Sequence, residues 1–397
     1  MTDGLGVQAP GLRDRDFVQD PRLAWTGLLL AVGELFCVGR LWHVRADRTL
    51  AHGGEPLCWP MWSGCAAWRV FDQSTLTVLL IALAAAAVAA GVAFLRRWRG
   101  ALPLLAGTML VLIAVELQDF RLRQNQFYML AIAVAFFTVL PDPGRALRHL
   151  VVQFYFWAGL LKLNREWLTG AALYRPVWLL DGPLLHAACA WVVVLELVVV
   201  WGLLSRRRWL FVFTVFQIGL FSLASVAVVG SFYPALMMLL VTACAVLRRD
   251  NEPPLFIWRE RTSTQVAIGL FCALQLIPRL MPGDPAITGE GRLFALHMFD
   301  AKVVCDSRVI VLEGGQVVRE FDATVGLPVR TACDPAVLYA RGRTMCRHLG
   351  DRGTINLHLA SRRSTDDQLR PVVELTDFCH QMPAYRWWRH NEWIRVD

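Results

Sequence analysis

Long apolar runs alternate with short polar loops over the first 280 residues of the chain. Each run is close to the length that an apolar helix needs to cross a bilayer. The pattern predicts nine helical spans, at 24–39, 76–95, 101–116, 127–141, 149–163, 187–204, 209–229, 232–247 and 264–280. The last span is the weakest, because it is short and ends at Pro278 and Arg279.

After residue 281 the pattern changes from long apolar runs to alternating apolar and polar positions. Residues 309–321 predict a hairpin that turns at Gly314 and Gly315, and residues 354–361 and 370–375 predict a second strand pair. Residues 335–349 have helical spacing. We therefore expect a leader at 1–23, a transmembrane domain at 24–281 and a small α+β, β-rich extracytoplasmic domain at 282–397.

Composition supports the assignment to membrane proteins. Hydrophobic residues make up 56% of the 397 residues and charged residues 18%, and mean hydropathy is +0.43. The net charge of +8 does not indicate nucleic-acid binding, because the arginines cluster in short loops between apolar runs. They are more numerous in the loops on one side, which predicts a multi-pass protein of the cell membrane with a cytoplasmic N-terminus, surrounded by membrane lipid.

The ten cysteines and nine histidines give no metal-binding pattern. The chain has no CxxC sequence, and the histidines lack the spacing of metal ligands, so no metal site is expected. Four cysteines fall in predicted spans. The other six fall on the predicted external side, where disulfide bonds persist.

Lys162 is the first candidate for chemistry. Only Lys162 and Lys302 among the forty basic residues are lysine, and a lysine ammonium can lose its proton when desolvated, whereas guanidinium cannot. On a continuous helix Tyr155, Gly159, Lys162 and Glu166 would share one face. Two structural alternatives remain open: Lys162 could reach the membrane surface, or it could form an i,i+4 ion pair with Glu166.

Three acidic residues fall at membrane depth, namely Glu34, Glu116 and Glu196. Glu196 is the deepest of the three, and it must face the bundle interior or carry a proton, because acidic residues are expensive to place in a bilayer. The loop at 118–128 places amides and arginines beside a span. It is either an ordinary hydrated loop or the lining of a cavity beside Lys162.

One motif carries a resemblance to a known family. The sequence from Tyr155 to Gly170, YFWAGLLKLNREWLTG, resembles the central motif of the HTTM membrane-domain family, which includes the vitamin K-dependent gamma-carboxylases. The matching positions are Ala158, Gly159, Lys162, Leu163, Asn164, Trp167 and Gly170. The resemblance implies that Lys162 is the catalytic base that deprotonates a bound quinol, either reduced vitamin K or menaquinol.

The resemblance also implies a reaction, a pocket and a disulfide bond. The quinol would react with dioxygen to give a strong base, and carboxylation would follow proton abstraction from a substrate, which could be a protein. The residues implied for the quinone and substrate pocket are Tyr155, Gly159, Asn164, Trp167, Asn125, Gln126, Arg121 and Glu196. The disulfide bond implied is Cys58–Cys346, with Cys65 as the fallback partner.

The sequence also departs from the family pattern. The stretch from Arg123 to Tyr128 lacks the family's histidine, and the family's large lumenal portion has no counterpart before Asp397. These departures favour an alternative, a non-enzymatic membrane module that binds quinone or lipid or serves as a partner in a complex. A transporter with a proton relay through Lys162 and Glu196 is a third hypothesis, but the spans show no repeat of the kind many transporters have.

Overall fold

The structure is a computed structural model that describes residues 20–48, 57–59, 73–173, 180–249, 255–296, 301–327 and 329–396. Its first part is a bundle of helices. These helices are α1 (Pro21–Arg48), α2 (Gln73–Leu95), α3 (Ala101–Glu116), α4 (Asn125–Val139), α5 (Pro143–Leu161), α6 (Arg165–Leu168), α7 (Gly182–Leu197), α8 (Arg208–Val229), α9 (Phe232–Leu247), α10 (Thr262–Leu280) and α11 (Pro285–Thr288). Short 3-10 segments lie at Phe120–Leu122, Val199–Leu204 and Ile257–Arg259.

Five of the described helical segments are long and apolar enough to cross a membrane. They are Pro21–His43, Ser74–Leu95, Gly182–Leu204, Arg208–Val229 and Thr262–Leu280. Helices α3, α4 and α9 are apolar but shorter. The predicted count of nine spans is therefore not confirmed, although a helix is present at each predicted position.

The outer surface of the bundle is apolar, as expected for contact with lipid. On α8, Phe216 is 60% exposed and Leu223 is 73% exposed. Large exposed apolar patches of this kind mark membrane or protein contacts in folded chains. The bundle core lies between the helices and contains closely packed rings, including Phe127, Phe137 and Phe154.

The second part of the chain forms a four-stranded antiparallel sheet in the order β2-β1-β3-β4. Its strands are β1 (Val303–Glu313), β2 (Gln316–Asp322), β3 (Gly353–Arg363) and β4 (Arg370–Leu375). Helices α12 (Val329–Ala332), α13 (Pro335–Leu349) and α14 (Phe378–Gln381) accompany it, with a 3-10 turn at Gly350–Arg352. The predicted hairpin is confirmed: Gly314 and Gly315 have φ of 57° and 81°, values that glycine adopts without strain.

The sheet encloses a small core of its own. Leu357 and Leu359 of β3 are buried together with Val309 of β1 and Phe378 of α14. The alternation predicted for 354–361 is confirmed, because successive β3 side chains alternate between buried and partly exposed. The same part of the chain therefore forms the small antiparallel domain that its polar pattern predicted.

The predicted disulfide bond between Cys58 and Cys346 is wrong. Cys346 is bonded to Cys379, and Cys305 is bonded to Cys333. Cys58 is itself disulfide-bonded, whereas the fallback Cys65 lies outside the described residues. Both fully described bonds connect segments of the sheet domain to each other, so they stabilise that domain and do not link it to the bundle.

Candidate functional site

Helix α5 carries the candidate site, and its two ends are set by local chemistry. It begins at Pro143, a residue favoured in the first turn, and the carboxylate of Asp142 accepts a hydrogen bond from the Arg145 backbone N–H at 3.4 Å. The helix ends at Leu161, so Lys162 occupies the C-cap. Lys162 is therefore held on the last turn of a well-defined helix.

Gly159 allows α7 to approach this turn closely. A Cβ added at Gly159 would lie 2.9 Å from both Glu196 Cβ and Leu197 Cδ2, which is closer than real Cβ atoms come to their neighbours. The small side chain of Gly159 is therefore what allows α5 and α7 to pack closely here. This packing places the Glu196 side chain next to the end of α5.

Lys162 and Glu196 form a buried ion pair. The Lys162 Nζ donates to both carboxylate oxygens of Glu196, at 2.8 Å to Oε1 and 2.6 Å to Oε2. The lysine is 2% exposed and the glutamate 0% exposed. A third contact runs from Nζ to the Ala158 carbonyl oxygen at 3.4 Å. Both charges are therefore removed from solvent and neutralised by each other.

Aromatic side chains enclose the pair. The Lys162 Nζ lies 5.2 Å from the centroid of the Trp167 ring, within the range of a cation–π contact. The Trp167 indole N–H donates to the Cys189 carbonyl oxygen at 3.0 Å, which fixes the ring against α7. Tyr155 and Tyr233 are also buried close enough to Glu196 to interact with its charge.

Asn164 has a structural role in this turn. Its side-chain oxygen accepts from the Trp167 backbone N–H at 2.8 Å, and its amide donates to the Leu161 carbonyl oxygen at 2.7 Å. It therefore caps α6 and satisfies the end of α5 at the same time. These two bonds set the position of Trp167 over the lysine.

Glu166 does not pair with Lys162, so that alternative is wrong. The Glu166 carboxylate accepts from Arg363 Nη1 at 2.7 Å and from the Ser364 hydroxyl at 2.6 Å. The Ser364 backbone N–H also donates to it, at 2.9 Å. Glu166 thus connects the bundle to the end of β3.

A cavity of about 170 Å³ lies on the side of α5 that faces away from Lys162 and α7. Its lining combines one face of α5, the end of α10 and the segment that follows α10, together with Arg363. The lining residues are Trp157, Leu160, Leu161, Asn164, Gln275, Pro278, Arg279, Asp284, Pro285, Ala286, Ala295, Leu296 and Arg363. Lys162 and Glu196 do not line it, because Lys162 lies on the side of α5 that contacts α7 and Glu196 belongs to α7.

The remaining predicted pocket residues lie elsewhere. Asn125 and Gln126 are half-buried at the start of α4. They neither line the cavity nor bond to Lys162, whose hydrogen bonds go to Ala158 and Glu196. The side chain of Arg121 is outside the described residues. The structure therefore brings together Tyr155, Gly159, Lys162, Trp167 and Glu196, and separates them from the amides of the 118–128 loop.

Sequence reasoning missed Arg363, which organises the junction between the bundle and the sheet domain. Its guanidinium binds Asp284 through Nε and through Nη2, the latter at 2.8 Å to Oδ1, as well as Glu166. Burial of the guanidinium favours its neutral form and so lowers the pKa of Arg363. The hydrogen bonds to Asp284 and Glu166 have the larger combined effect and raise this pKa above its ordinary value. Nothing in the sequence separates this arginine from the many others.

The arrangement around Lys162 is suited to moving a proton. Transfer from the ammonium to the Glu196 carboxylate would leave a neutral amine beside a neutral acid, without separating charge in a poorly polarisable interior. Within the part of the chain that the structure describes, no group of three or more histidine, cysteine or acidic side chains is arranged to hold a metal ion. The contact between Lys162 and Glu196 is itself suited to acid–base chemistry.

Comparison of this chain with protein-family models, with curated proteins and with solved structures finds no match. The resemblance to the HTTM family accordingly depends on the residues of the Lys162 motif. The geometry of that motif is the basis for assigning a function.

Proposed function

We propose that this protein is a membrane enzyme in which Lys162, paired with Glu196, acts as the base in quinol-dependent, oxygen-coupled proton abstraction and carboxylation, as in the vitamin K-dependent gamma-carboxylases. The observation that carries the proposal is the buried contact of Lys162 Nζ with both oxygens of Glu196. Glu196 takes the ammonium proton, and the resulting neutral amine accepts a proton from the quinol hydroxyl. The neutral Lys162 amine, which accepts the quinol proton, is therefore formed inside the bundle.

The residues around Lys162 support a role in which the ammonium transfers its proton. Gly159 holds α7 close enough for the two hydrogen bonds, and Trp167 covers the ammonium on its other side. A reduced vitamin K or a menaquinol would supply the electrons that dioxygen requires. This chain's residues would orient the quinol hydroxyl toward the lysine and exclude water.

The test is quinol-dependent oxygen uptake and quinone-epoxide formation by purified protein in nanodiscs. The variant Lys162→Gln combined with Glu196→Gln keeps a polar pair of similar shape but cannot exchange a proton. We expect it to lose on the order of a hundredfold or more in rate, the usual contribution of a positioned acid–base group. Epoxide formation by this double variant at the wild-type rate would refute the role of Lys162.

A matched control comes from a second buried ion pair of the bundle. Glu260 pairs with Arg145 at the opposite end of α5, with both its oxygens accepting at 2.8 Å. The variant Glu260→Gln disturbs a buried carboxylate without touching the Lys162 turn, so its oxygen uptake should equal that of the wild type. If Glu260→Gln lost as much oxygen uptake as the double variant, the loss would reflect a less stable bundle and not the removal of proton transfer at Lys162.

A second candidate function is binding of a quinone or lipid without turnover, and the position of the cavity favours it. The cavity lies on the face of α5 that points away from Lys162, and its volume of about 170 Å³ resembles that of a cavity of about 150 Å³ that binds benzene. Its size suits a small aromatic head group or a short acyl segment. The variant Ala286→Trp should then abolish binding of a naphthoquinone, measured by equilibrium titration.

These two functions give different results with one preparation. Quinone binding that Ala286→Trp abolishes, with no epoxide from folded wild-type protein, would support the binding module and refute the enzyme. Epoxide formation that requires Lys162 and Glu196 would support the enzyme. A naphthoquinone that binds equally well to Ala286→Trp would refute the cavity as its site.

A further inference from the structure

Glu34 is a buried acid that the proposed function does not use. It lies in the middle of α1 and is 0% exposed. Among the residues that the structure describes, neither of its carboxyl oxygens has a hydrogen-bond partner. The cost of burying an isolated carboxylate is so large that such a group binds a proton instead. The geometry therefore requires the neutral acid at this position.

Glu116 is a second acidic residue that lies near this part of α1. It is the last residue of α3 and is half-buried. One of its oxygens accepts from the Gln124 backbone N–H at 3.1 Å, and Arg123 is close enough to interact with its charge. Glu116 therefore lies at the boundary between the bundle interior and the loop that connects α3 to α4.

Cys37 lies near both acids. Glu34 and Cys37 are three residues apart on α1 and so share one face of the helix. The Cys37 thiol is 0% exposed and interacts electrostatically with both Glu116 and Glu34. One turn further along α1, Arg40 donates to the Gln124 side-chain oxygen at 3.3 Å. Arg40 and Glu116 both contact Gln124 at the α3–α4 loop, and Glu34 lies deeper along the same helix as Arg40.

We propose that Glu34 is a proton-binding site inside the bundle, and that it exchanges its proton with the membrane face at the α3–α4 loop through Glu116. In each exchange Glu116 gives up its carboxyl proton and becomes a carboxylate, while the Glu34 carboxylate receives that proton and becomes the neutral acid. In the part of the chain that the structure describes, the charged and titratable groups near this route include Glu116, Cys37, Arg40 and Arg123, and Arg123 also interacts electrostatically with Asp334, Arg292 and Tyr385. The site does not depend on quinol chemistry at Lys162.

The experiment is infrared spectroscopy of the full-length protein in nanodiscs, in H₂O and after transfer to D₂O. A protonated carboxyl without hydrogen bonds gives a carbonyl band at the high-frequency end of the carboxyl region, and this band moves when deuterium replaces the proton. We expect Glu34→Gln to remove the band. Persistence of the whole band in Glu34→Gln would overturn the proposal, because it would show that Glu34 is ionised.

The rate of deuterium exchange tests the route. Replacing Glu116 by Gln keeps its shape but removes its proton transfer, so exchange at Glu34 should slow by on the order of a hundredfold. An unchanged rate in Glu116→Gln would overturn the assignment of Glu116 as the entry group. Glu260→Gln is the matched control, because that carboxylate is already bonded to Arg145; it should retain both the band and the exchange rate.

A measurement of Tm shows whether the Glu34 variants fold, so that loss of the infrared band can be distinguished from loss of the fold. Replacing a neutral carboxyl that has no hydrogen-bond partner by an apolar side chain removes no interaction. Glu34→Leu should therefore fold with a Tm equal to or above that of the wild type. Failure of both Glu34→Leu and Glu34→Gln to fold would show that the carboxylate is held by a required partner, and would overturn the proposal.

Discussion

At the scale of single residues, the sequence singled out Lys162 and Glu196 but did not predict the ion pair between them. The alternative of an i,i+4 pair with Glu166 assumed that the helix continues to residue 166. Helix α5 instead ends at Leu161, and Asn164 adopts an extended backbone before α6 begins. The i,i+4 rule fails across this break. Glu166 therefore turns toward the sheet domain, and Glu196, which sequence distance alone could not select, takes its place.

Gly159 gives a prediction at the same scale. Its replacement by alanine places a methyl group 2.9 Å from atoms of Glu196 and Leu197, so α5 and α7 must separate. Overpacking of this kind costs about 1–3 kcal/mol. We expect Gly159→Ala to lower the Tm and to loosen the Lys162–Glu196 pair, measured by thermal unfolding in detergent.

The control for this prediction is Gly269→Ala on α10. No atom lies within 4 Å of a Cβ built at Gly269, so the added methyl group meets no obstacle. Its unfolding free energy should stay within about 1 kcal/mol of the wild type, the range of helix propensity between the two residues. Equal losses in both variants would contradict the close-packing role of Gly159.

At the scale of elements, α13 and the hairpin were predicted from the sequence, whereas the predicted span at 149–163 missed the first turns of α5, which begins at Pro143. Asp142, Asp284 and Asp334 each precede a proline, and each carboxylate caps the helix that the proline begins. The hairpin follows from the two glycines at its turn. Disulfide connectivity could not be read in this way, because sequence spacing does not fix pairing, and the true partner of Cys346 lies within the same domain.

The contact between α5 and the loop before α10 predicts a dependence on pH. Burial raises the pKa of Glu260, but hydrogen bonds from Arg145 and the contact with His149 outweigh burial and lower it below 4.5. The folded state then binds fewer protons here than the unfolded state. The pair stabilises the fold above about pH 4.5, and its contribution is lost as the pH falls through the folded pKa.

The measurement that isolates this contribution is the Tm of the wild type and of Glu260→Gln as a function of pH. The wild type should be the more stable at neutral pH, and the difference should shrink as the solution is acidified below the ordinary glutamate pKa. A difference that grows on acidification would contradict the assigned direction.

At the scale of the whole molecule, the sequence predicted an apolar helical part followed by a small sheet domain, and the structure has this division. It could not predict how the two parts meet. The junction depends on Arg363, whose guanidinium binds Glu166 from the bundle and Asp284 from the segment between the two parts. These contacts join Arg363 to residues 197 and 79 positions away in the sequence, so no local pattern reveals them.

Arg363 therefore controls attachment of the sheet domain. Its replacement by methionine leaves Glu166, which is 1% exposed, with an uncompensated charge. Removal of one partner from a buried pair costs about 3–5 kcal/mol. We expect faster hydrogen exchange in α6 and faster proteolysis between α10 and β1 in Arg363→Met.

Arg308 provides the matched control. It pairs with Asp306 and Glu320 at the surface of the sheet, and its side chain is 52% exposed. Exposed pairs contribute about 0–1 kcal/mol, so Arg308→Met should leave exchange in α6 unchanged. Identical exchange in Arg363→Met and the wild type would show that the junction is held by other contacts.

The two faces of α5 have a consequence for optical experiments. Trp157 lines the cavity, whereas the ring of Trp167, in the short helix that follows α5, lies over the Lys162 ammonium. A molecule that enters the cavity changes the surroundings of the first indole, and a change in the charge of Lys162 changes those of the second. Tryptophan-to-phenylalanine variants at these positions would give separate fluorescence signals for occupancy and for protonation in the same protein.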